Sequence, residues 1–236
     1  MTEETIAFAA DGIRLHGTLH LPETPDPPVV IGAHGLLSTG DSPKQRALAE
    51  RLNRCGIAFF RFDHRGCGQS QGIFSDVTTF EGRRRDLAAA IQAIFSRISP
   101  DCPLGLFGSS MGGAVCLAMV GEYDVRAVVT LAAPVRLSSI RVPPSYETDP
   151  ALTGMNPRQM EFDISSRLDR IKNILIFHGD NDQVVPFGNA EEIFEKTGQP
   201  KKLVRLDSAD HPLSDPMHQE VFMTKSVQWF KNGLTR

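Results

Sequence analysis

The sequence predicts an α/β fold in which helices cover both faces of a mostly parallel β-sheet. Short apolar runs with the composition of strands alternate with segments of helical apolar spacing along most of the chain. Several of these runs, such as "VVIGAHG" from Val29, are apolar almost throughout, as is typical of strands buried on both faces. Parallel neighbours need a crossover, and the helical segments supply it. The 236 residues suffice for one such domain, so a single domain over 1–236 is expected.

An antiparallel hairpin is predicted at the N-terminus. The stretch "TIAFAADGIRLHGTLHL" from Thr5 largely alternates apolar and polar residues on either side of Asp11-Gly12, a dipeptide that favours a tight hairpin turn. The proline-rich "PETPDPP" that follows cannot continue a strand ladder. The first central strand is therefore expected to begin at Val29.

The remaining elements follow from the same periodicities and bring the predicted sheet to eight strands. They are a helix from Pro43 to Cys55, the strand "IAFFRF", a helix from Phe80 to Ile98, the strand "PLGLFG", the helix "MGGAVCLAMVG", the strands "AVVTLAA" and "NILIFHG", a helix from Pro186, the strand "KLVRLD" and a last helix through Trp229. The run Arg83–Arg85 is predicted to be a solvated helix face. The irregular, proline-rich stretch 134–167 is predicted to form a short cap, because long irregular segments tend to be lids or binding loops.

Composition excludes several classes of protein. Hydrophobic residues make up 41% and charged residues 22%, as in ordinary globular proteins. The net charge of −3, without a basic stripe, argues against a nucleic-acid partner. The four cysteines form no close pair, so we expect free thiols in a reducing compartment. The chain has neither a signal-like start nor a run of about 18 apolar residues, so a cytoplasmic protein without stable membrane insertion is expected.

A candidate nucleophile lies in the stretch "LFGSSMGG". Gly108, Ser110 and Gly112 match the pattern G-x-S-x-G, whereas a frame centred on Ser109 would need glycine at two non-glycine positions. A strand that turns abruptly into a helix crowds the backbone, which leaves no room for Cβ atoms beside the serine. The turn presents the serine hydroxyl at a helix N-terminus, where a developing anion is favoured. The alternative is a glycine-serine helix cap without chemistry.

A serine hydroxyl needs a base, usually an imidazole held by a carboxylate. His211 is the candidate base, because it follows a strand and precedes the last helix, at the sheet edge where ligands bind in such folds. The loop "FHGDNDQVVP" offers two carboxylates, Asp180 and Asp182, at the same edge. A metal site formed by these two and His178 is the less favoured alternative, because His178 closes a buried strand.

The chain resembles the α/β-hydrolase superfamily over nearly its whole length, especially the small serine hydrolases that include cinnamoyl esterases, monoacylglycerol lipases and serine aminopeptidase-like proteins. The resemblance rests on "HGL" at His34, "FDHRGCGQS" at Phe62, "GSSMGG" at Gly108 and "HGDNDQVVP" at His178, followed by His211. It implies that Asp182, and not Asp180, is the catalytic acid and that the backbone amides of Leu36 and Met111 form the oxyanion hole. It also implies that no metal or organic cofactor is needed and that Cys67 carries no chemistry.

The resemblance further implies that the cap covers the serine and shapes the substrate pocket. The apolar cap residues expected to contact substrate are Ile140, Tyr146, Met155, Met160 and Phe162. The insert is shorter than in typical cinnamoyl esterases, so the expected reaction is hydrolysis of small to medium acyl or aryl esters through an acyl-enzyme. A peptidase or amidase that uses the same residues is the alternative, and a non-catalytic binding protein on this scaffold is a third. The oligomeric state stays open, a homodimer included.

Overall fold

The computed structural model describes residues 2–142, 149, 152 and 154–235. Eight strands form one sheet in the order β1-β2-β4-β3-β5-β6-β7-β8. The strands are β1 Thr2–Ala10, β2 Ile13–Leu21, β3 Val29–Ala33, β4 Ala58–Phe62, β5 Leu104–Ser109, β6 Val125–Leu131, β7 Ile174–Gly179 and β8 Lys201–Leu206. The six neighbouring strands β4, β3, β5, β6, β7 and β8 are all parallel to one another, whereas β2 pairs antiparallel with both β1 and β4. The predicted α/β architecture, with its antiparallel hairpin at one edge, is confirmed.

The hairpin turn adopts the geometry that its dipeptide predicts. Asp11 and Gly12 both have positive φ, 52° and 78°, as a two-residue turn between right-twisted strands requires. The helices are α1 Pro43–Asn53, α2 Phe74–Val77, α3 Phe80–Arg97, α4 Met111–Met119, α5 Gly188–Lys196 and α6 Pro216–Leu234. Only α2 was not expected, because four residues are too few to establish a helical periodicity.

The sheet separates two apolar cores. Side chains of α3, α4 and α5 pack on one face, and side chains of α1 and α6 pack on the other. Successive residues of a strand supply opposite cores: in β5, Leu106 belongs to the first core and Phe107 to the second. This two-sided burial explains why the central strands read as continuous apolar runs. Among the described residues, no helix is long and apolar enough to cross a bilayer.

The described part of the segment between β6 and β7 packs against the body of the domain. It contains short 3-10 turns at Leu137–Ser139, Pro157–Met160 and Ser165–Arg170. Met160 and Phe162 are only 4% and 7% exposed and belong to the core on the α3 side of the sheet.

Phe162 stacks on Phe80, the first residue of α3, with ring centroids 4.2 Å apart. The expectation that Met160 and Phe162 contact substrate is therefore corrected: both residues anchor the segment to the body. An apolar side chain in an irregular segment serves either purpose, so its type alone does not tell them apart.

Candidate active site

The serine turn between β5 and α4 is a strained connection that only glycines permit. Ser110 has φ 52° and ψ −125°, an unusual conformation for a residue with a side chain. A Cβ atom on Gly108 would lie 2.4 Å from the carbonyl oxygen of Gly112, and one on Gly112 would lie 2.2 Å from that of Ala33. The Ser110 amide donates to the Leu131 carbonyl over 2.8 Å, which ties the turn to β6. The serine hydroxyl is thus presented at the start of α4.

Three side chains from distant segments form one hydrogen-bonded chain at this edge of the sheet. Ser110 Oγ lies 3.1 Å from His211 Nε2, and His211 Nδ1 lies 2.7 Å from Asp182 Oδ2. His211 lies on the loop after β8, and Asp182 on the loop after β7. The structure therefore brings together the three residues that the sequence singled out as nucleophile, base and acid.

Asp182 is held as a buried carboxylate. Its Oδ1 accepts hydrogen bonds of 2.8 Å from the backbone amides of Val184 and Val185. Burial alone would raise the pKa of Asp182, but hydrogen bonds from His178, His211 and the Val185 amide outweigh it and hold the pKa below its ordinary value. The group is ionised at neutral pH, and it fixes the His211 tautomer that leaves Nε2 free to accept a proton.

Asp180, the other carboxylate of this loop, is engaged elsewhere. Its carboxylate accepts hydrogen bonds from Arg205 and from the Ser208 amide. His178 Nε2 lies 2.7 Å from the Val185 carbonyl oxygen, so this ring braces the loop. The geometry matches the choice of Asp182 over Asp180 that the family pattern implied.

The loop after β3 brings two unused backbone donors beside the serine. A Cβ atom on Gly35 would lie 3.5 Å from that of Ser110, so the loop touches the serine turn. Among the described residues, the amides of Leu36 and Met111 donate to no protein acceptor, and both residues line the cavity at Ser110. His34 is not a competing base, because its Nε2 accepts from the His64 amide and burial lowers its pKa well below the ordinary value.

Arg83 supports this loop from below, which corrects the prediction that it belongs to a solvated face. The residue is fully buried. Its guanidinium donates to the carbonyl oxygens of His34 and Gly35 over 3.3 Å and to that of Leu36 over 3.0 Å. The Cys67 thiol is its fourth partner, at 3.6 Å, and burial raises the pKa of this thiol. A buried positive charge therefore lies directly beneath the loop that carries the Leu36 amide.

Of the neighbouring arginines, Arg85 is exposed as predicted, whereas the Arg84 side chain is only 17% exposed. Arg84 and Arg85 form ion pairs at the surface with Glu81, Glu122 and Asp11. A helical periodicity distinguishes the three: Arg83 lies three residues after Phe80 and four before Leu87, both of which face the core. The sequence thus contained a signal for the buried arginine, which the charge of the run obscured.

A cavity of about 280 Å³ opens beside Ser110. It is lined by His34, Gly35, Leu36, Leu37, Ser38, Ser42, Lys44, Gln45, Phe107, Ser109, Ser110, Met111, Ile140, Arg141, Val142, Leu152, Val184, His211 and Pro212. Ile140 is thus placed as expected, whereas Met155, Met160 and Phe162 are not among the lining residues. Tyr146 lies outside the described residues. Lys44 and Arg141 are basic, and no lining residue that the structure describes is acidic.

The sheet, its antiparallel edge and the serine turn after β5 define an α/β hydrolase. A family model described as "Serine aminopeptidase, S33" matches residues 25–153, and the chain belongs to this hydrolase family. The uncharacterized protein YfhR of Escherichia coli O157:H7 is 29% identical over 98% of this chain and 81% of its own length.

Two solved structures of esterases share the fold along nearly the whole chain. The esterase domain of a Rhodothermus marinus protein is 27% identical, with a TM-score of 0.75, over 99% of this chain and all of that domain. Est1E of Butyrivibrio proteoclasticus, solved with bound ferulic acid, is 21% identical, with a TM-score of 0.79, over 98% of this chain and all of that structure. At this identity the second likeness concerns the fold alone.

Proposed function

We propose that this protein is a carboxylic ester hydrolase that cleaves small to medium acyl or aryl esters through an acyl-enzyme on Ser110. The observation that carries the proposal is the hydrogen-bonded chain from Asp182 through His211 to Ser110, next to two backbone amides without protein acceptors. Each group that serine-dependent acyl transfer needs is present within one small volume. The family and the Rhodothermus marinus esterase domain of the same fold agree with a hydrolase.

The reaction proceeds in two half-reactions. His211 Nε2 accepts the proton of Ser110 Oγ while that oxygen attacks the ester carbonyl, and the amides of Leu36 and Met111 bind the oxyanion of the tetrahedral intermediate. The intermediate collapses, His211 returns the proton to the leaving alkoxide, and the alcohol departs from the acyl-enzyme. Water then attacks the acyl carbon, with His211 again as the base, and releases the carboxylic acid and free Ser110.

The charge of the cavity bears on the alternative, an aminopeptidase or amidase. An enzyme that cleaves the first residue from a peptide has to bind a protonated amino terminus, for which a carboxylate is the usual partner. The described lining residues include two cations, Lys44 and Arg141, and no carboxylate. A free ammonium group would be repelled there, so we favour esters. A non-catalytic binding protein would not need the complete set of Ser110, His211 and Asp182.

Replacement of the proposed nucleophile tests this function. We expect Ser110→Ala to lower kcat/KM for p-nitrophenyl butyrate by about 10⁴-fold or more and to abolish labelling by a fluorophosphonate. Ser96→Ala is the matched control, because this exposed hydroxyl on α3 contacts only the Gln92 carbonyl. Turnover by Ser110→Ala at the wild-type rate would refute the assignment. Faster cleavage of leucine p-nitroanilide than of the ester by the wild type would instead favour the peptidase.

A further inference from the structure

A buried amide without any hydrogen bond lies in the wall of the active-site cavity. Gln45 on α1 is only 2% exposed, and neither its Nε2 nor its Oε1 has a partner among the residues that the structure describes. Both the donor and the acceptor of an amide lose water when the group is buried, and this costs free energy unless protein atoms replace the lost hydrogen bonds. Because Gln45 lines the cavity, water or a ligand that fills the cavity can replace them.

The space around this amide is built into the sheet. A Cβ atom on Gly32, in β3, would lie 2.3 Å from Gln45 Oε1 and 2.7 Å from Phe59 Cζ. Any residue other than glycine would thus push the amide or the ring away. The helical face that carries Gln45 otherwise bears Leu48, Ala49 and Leu52 toward the core, so an apolar residue would also suit this position. The polar group therefore has no structural partner to explain it.

Lys44, the residue before Gln45, adds a positive charge to the lining of the cavity. Its Nζ donates to the Pro212 carbonyl oxygen over 2.5 Å, which leaves two further N–H groups. Burial lowers the pKa of Lys44, while the charge of nearby Asp210 opposes that shift. Two serines, Ser42 and Ser109, also line the cavity and bring hydroxyl groups. Ammonium, amide and hydroxyl donors in one wall suit an anionic oxygen ligand.

These groups lie across the sheet from the cap. We call Ser42, Lys44, Gln45, Phe107, Ser109 and Pro212 the α1 end of the cavity. Phe107 belongs to the core on the α1 and α6 side, whereas Leu36, Met111 and Ile140 pack against the opposite core. A substrate whose carbonyl lies at Ser110 can therefore extend a polar group into the α1 end while its apolar part faces the cap.

We propose that the α1 end is a subsite for a carboxylate that the substrate itself carries, so that the preferred substrates are esters with a free acid group. The inference deepens the proposed ester hydrolase and rests on it. Lys44 supplies the charge, and the Gln45 amide and the serine hydroxyls supply directional hydrogen bonds. The bound carboxylate gives the Gln45 Nε2 the acceptor that the protein does not provide.

Matched pairs of esters test the subsite on either side of the scissile bond. Monoethyl adipate and ethyl hexanoate differ only in a terminal carboxylate on the acyl chain, and ω-acetoxyvalerate and pentyl acetate differ likewise on the alcohol. For at least one pair we expect the wild type to show a kcat/KM about tenfold or more higher for the anionic member. Equal or lower values for both anionic esters would overturn the proposal.

Variants of the lining residues test whether the preference for anionic esters depends on Lys44 and Gln45. Gln45→Met, which keeps an unbranched chain of similar length, and Lys44→Met are each expected to reduce the preference by about tenfold. Arg46→Met is the matched control, because this cation of the same helix is more than half exposed and pairs with Asp41 at the surface. Lys44→Arg, which keeps the charge, should retain most of the preference. An unchanged preference in Gln45→Met would contradict the assignment of the amide.

A binding measurement separates this inference from the proposed function. If the protein hydrolysed no ester at all, the proposed function would fail, and the subsite would be judged by adipate binding alone. In the Ser110→Ala background we expect adipate to raise the melting temperature progressively, with the logarithmic dependence on concentration that binding to the folded state gives, and hexanoate to do so much less. Addition of Gln45→Met should remove the effect of adipate. No shift with adipate at any concentration would overturn the subsite even if esters were hydrolysed.

Discussion

We call Ser110 with its partners His211 and Asp182 the serine end of the site. The polar groups of the serine end and of the α1 end are satisfied in opposite ways. At the serine end, the Asp182 carboxylate accepts hydrogen bonds from two backbone amides and from the His211 ring. The other nitrogen of that ring is hydrogen-bonded to Ser110. At the α1 end, the Gln45 amide is equally buried and has no partner. Under the proposed function, this difference separates the groups that the protein holds in a fixed geometry before substrate arrives from those that it leaves for the substrate to complete.

This division follows from what each end does. Catalysis benefits when dipoles already point at the position of the developing charge, because no reorganisation is then needed during the reaction. Recognition of a polar substituent instead needs donors that can exchange water for ligand, and a donor already paired within the protein gains nothing from binding. Arg83 is the clearest example of the first kind, because Nη1 and Nη2 of its guanidinium donate to the carbonyls of one loop and to the Cys67 thiol, and only Nε is without a partner among the described residues.

Apart from Ser110→Ala, the largest effect is expected for Arg83→Met. Its guanidinium fixes the loop that presents the Leu36 amide, and the loss of one oxyanion donor typically lowers kcat about 10²- to 10³-fold. We expect kcat for p-nitrophenyl butyrate to fall by about this factor while KM changes little, because the amide acts on the transition state rather than on the ground state. Stopped assays at saturating and subsaturating ester separate the two constants.

The adjacent arginines provide the control for this experiment. Arg85→Met removes the same functional group from the same helix, but its guanidinium pairs with Asp11 and Glu81 at the surface. Its kcat should stay near that of the wild type. Arg83→Lys keeps a charge but not the fork of donors, so it should recover only part of the activity. If Arg83→Met raised KM and left kcat intact, Arg83 would not position the oxyanion loop.

A smaller effect concerns the stability of the buried polar region under the same loop. His64 donates its backbone amide to His34, and burial lowers the pKa of its side chain from 6.5 to about 4. Between these values the unfolded chain binds a proton that the folded chain does not, so stability is greatest above pH 6.5 and falls as the pH decreases. From about pH 7 to about pH 5 this single group lowers the free energy of unfolding by about 2 kcal/mol.

Urea titrations of the wild type and His64→Gln at both pH values measure this difference. The variant should lose less stability on acidification, by roughly the contribution of one proton. For each protein, the change in the free energy of unfolding between the two pH values is compared. This comparison removes any pH-independent cost of the substitution itself. An equal change in the two proteins would mean that His64 binds its proton equally well in the folded and unfolded chains. The region under the loop would then be more accessible to water than the contacts indicate.

The sequence predicted the scaffold and the serine turn because both depend on short-range patterns, whereas the choice of Asp182 over Asp180 came from the family resemblance. Buried parallel strands appear as apolar runs, and the turn at Ser110 requires glycines at fixed positions. The spacing of Arg83 to Phe80 and Leu87 placed it on the core-facing side of α3, but the carbonyls that accept its hydrogen bonds lie 47 to 49 residues earlier in the chain, which no local pattern contains. For Gln45 a signal existed: its spacing to Leu48, Ala49 and Leu52 places an amide on the apolar face of α1.

The smallest effect, and the one that tests the comparison most directly, is a gain of stability on replacing Gln45. A buried amide without partners costs about 1–3 kcal/mol, and Met fills a similar volume without that cost. We therefore expect Gln45→Met to raise the free energy of unfolding by about 1 kcal/mol in urea titrations without ligand. Gln92→Met, at an exposed position of α3, is the matched control and should change stability by less than about 0.5 kcal/mol.

Whether Gln45→Met stabilises or destabilises the protein decides between two roles for the amide. If Gln45 served the fold through hydrogen bonds, its replacement would destabilise the protein, and the α1 end would resemble the serine end. A more stable protein with a weaker preference for anionic esters would show that the chain keeps a costly amide for the sake of its ligand, as active sites often do at the expense of stability. Adipate should then stabilise the wild type but not Gln45→Met, so the two proteins should approach equal stability as adipate is added.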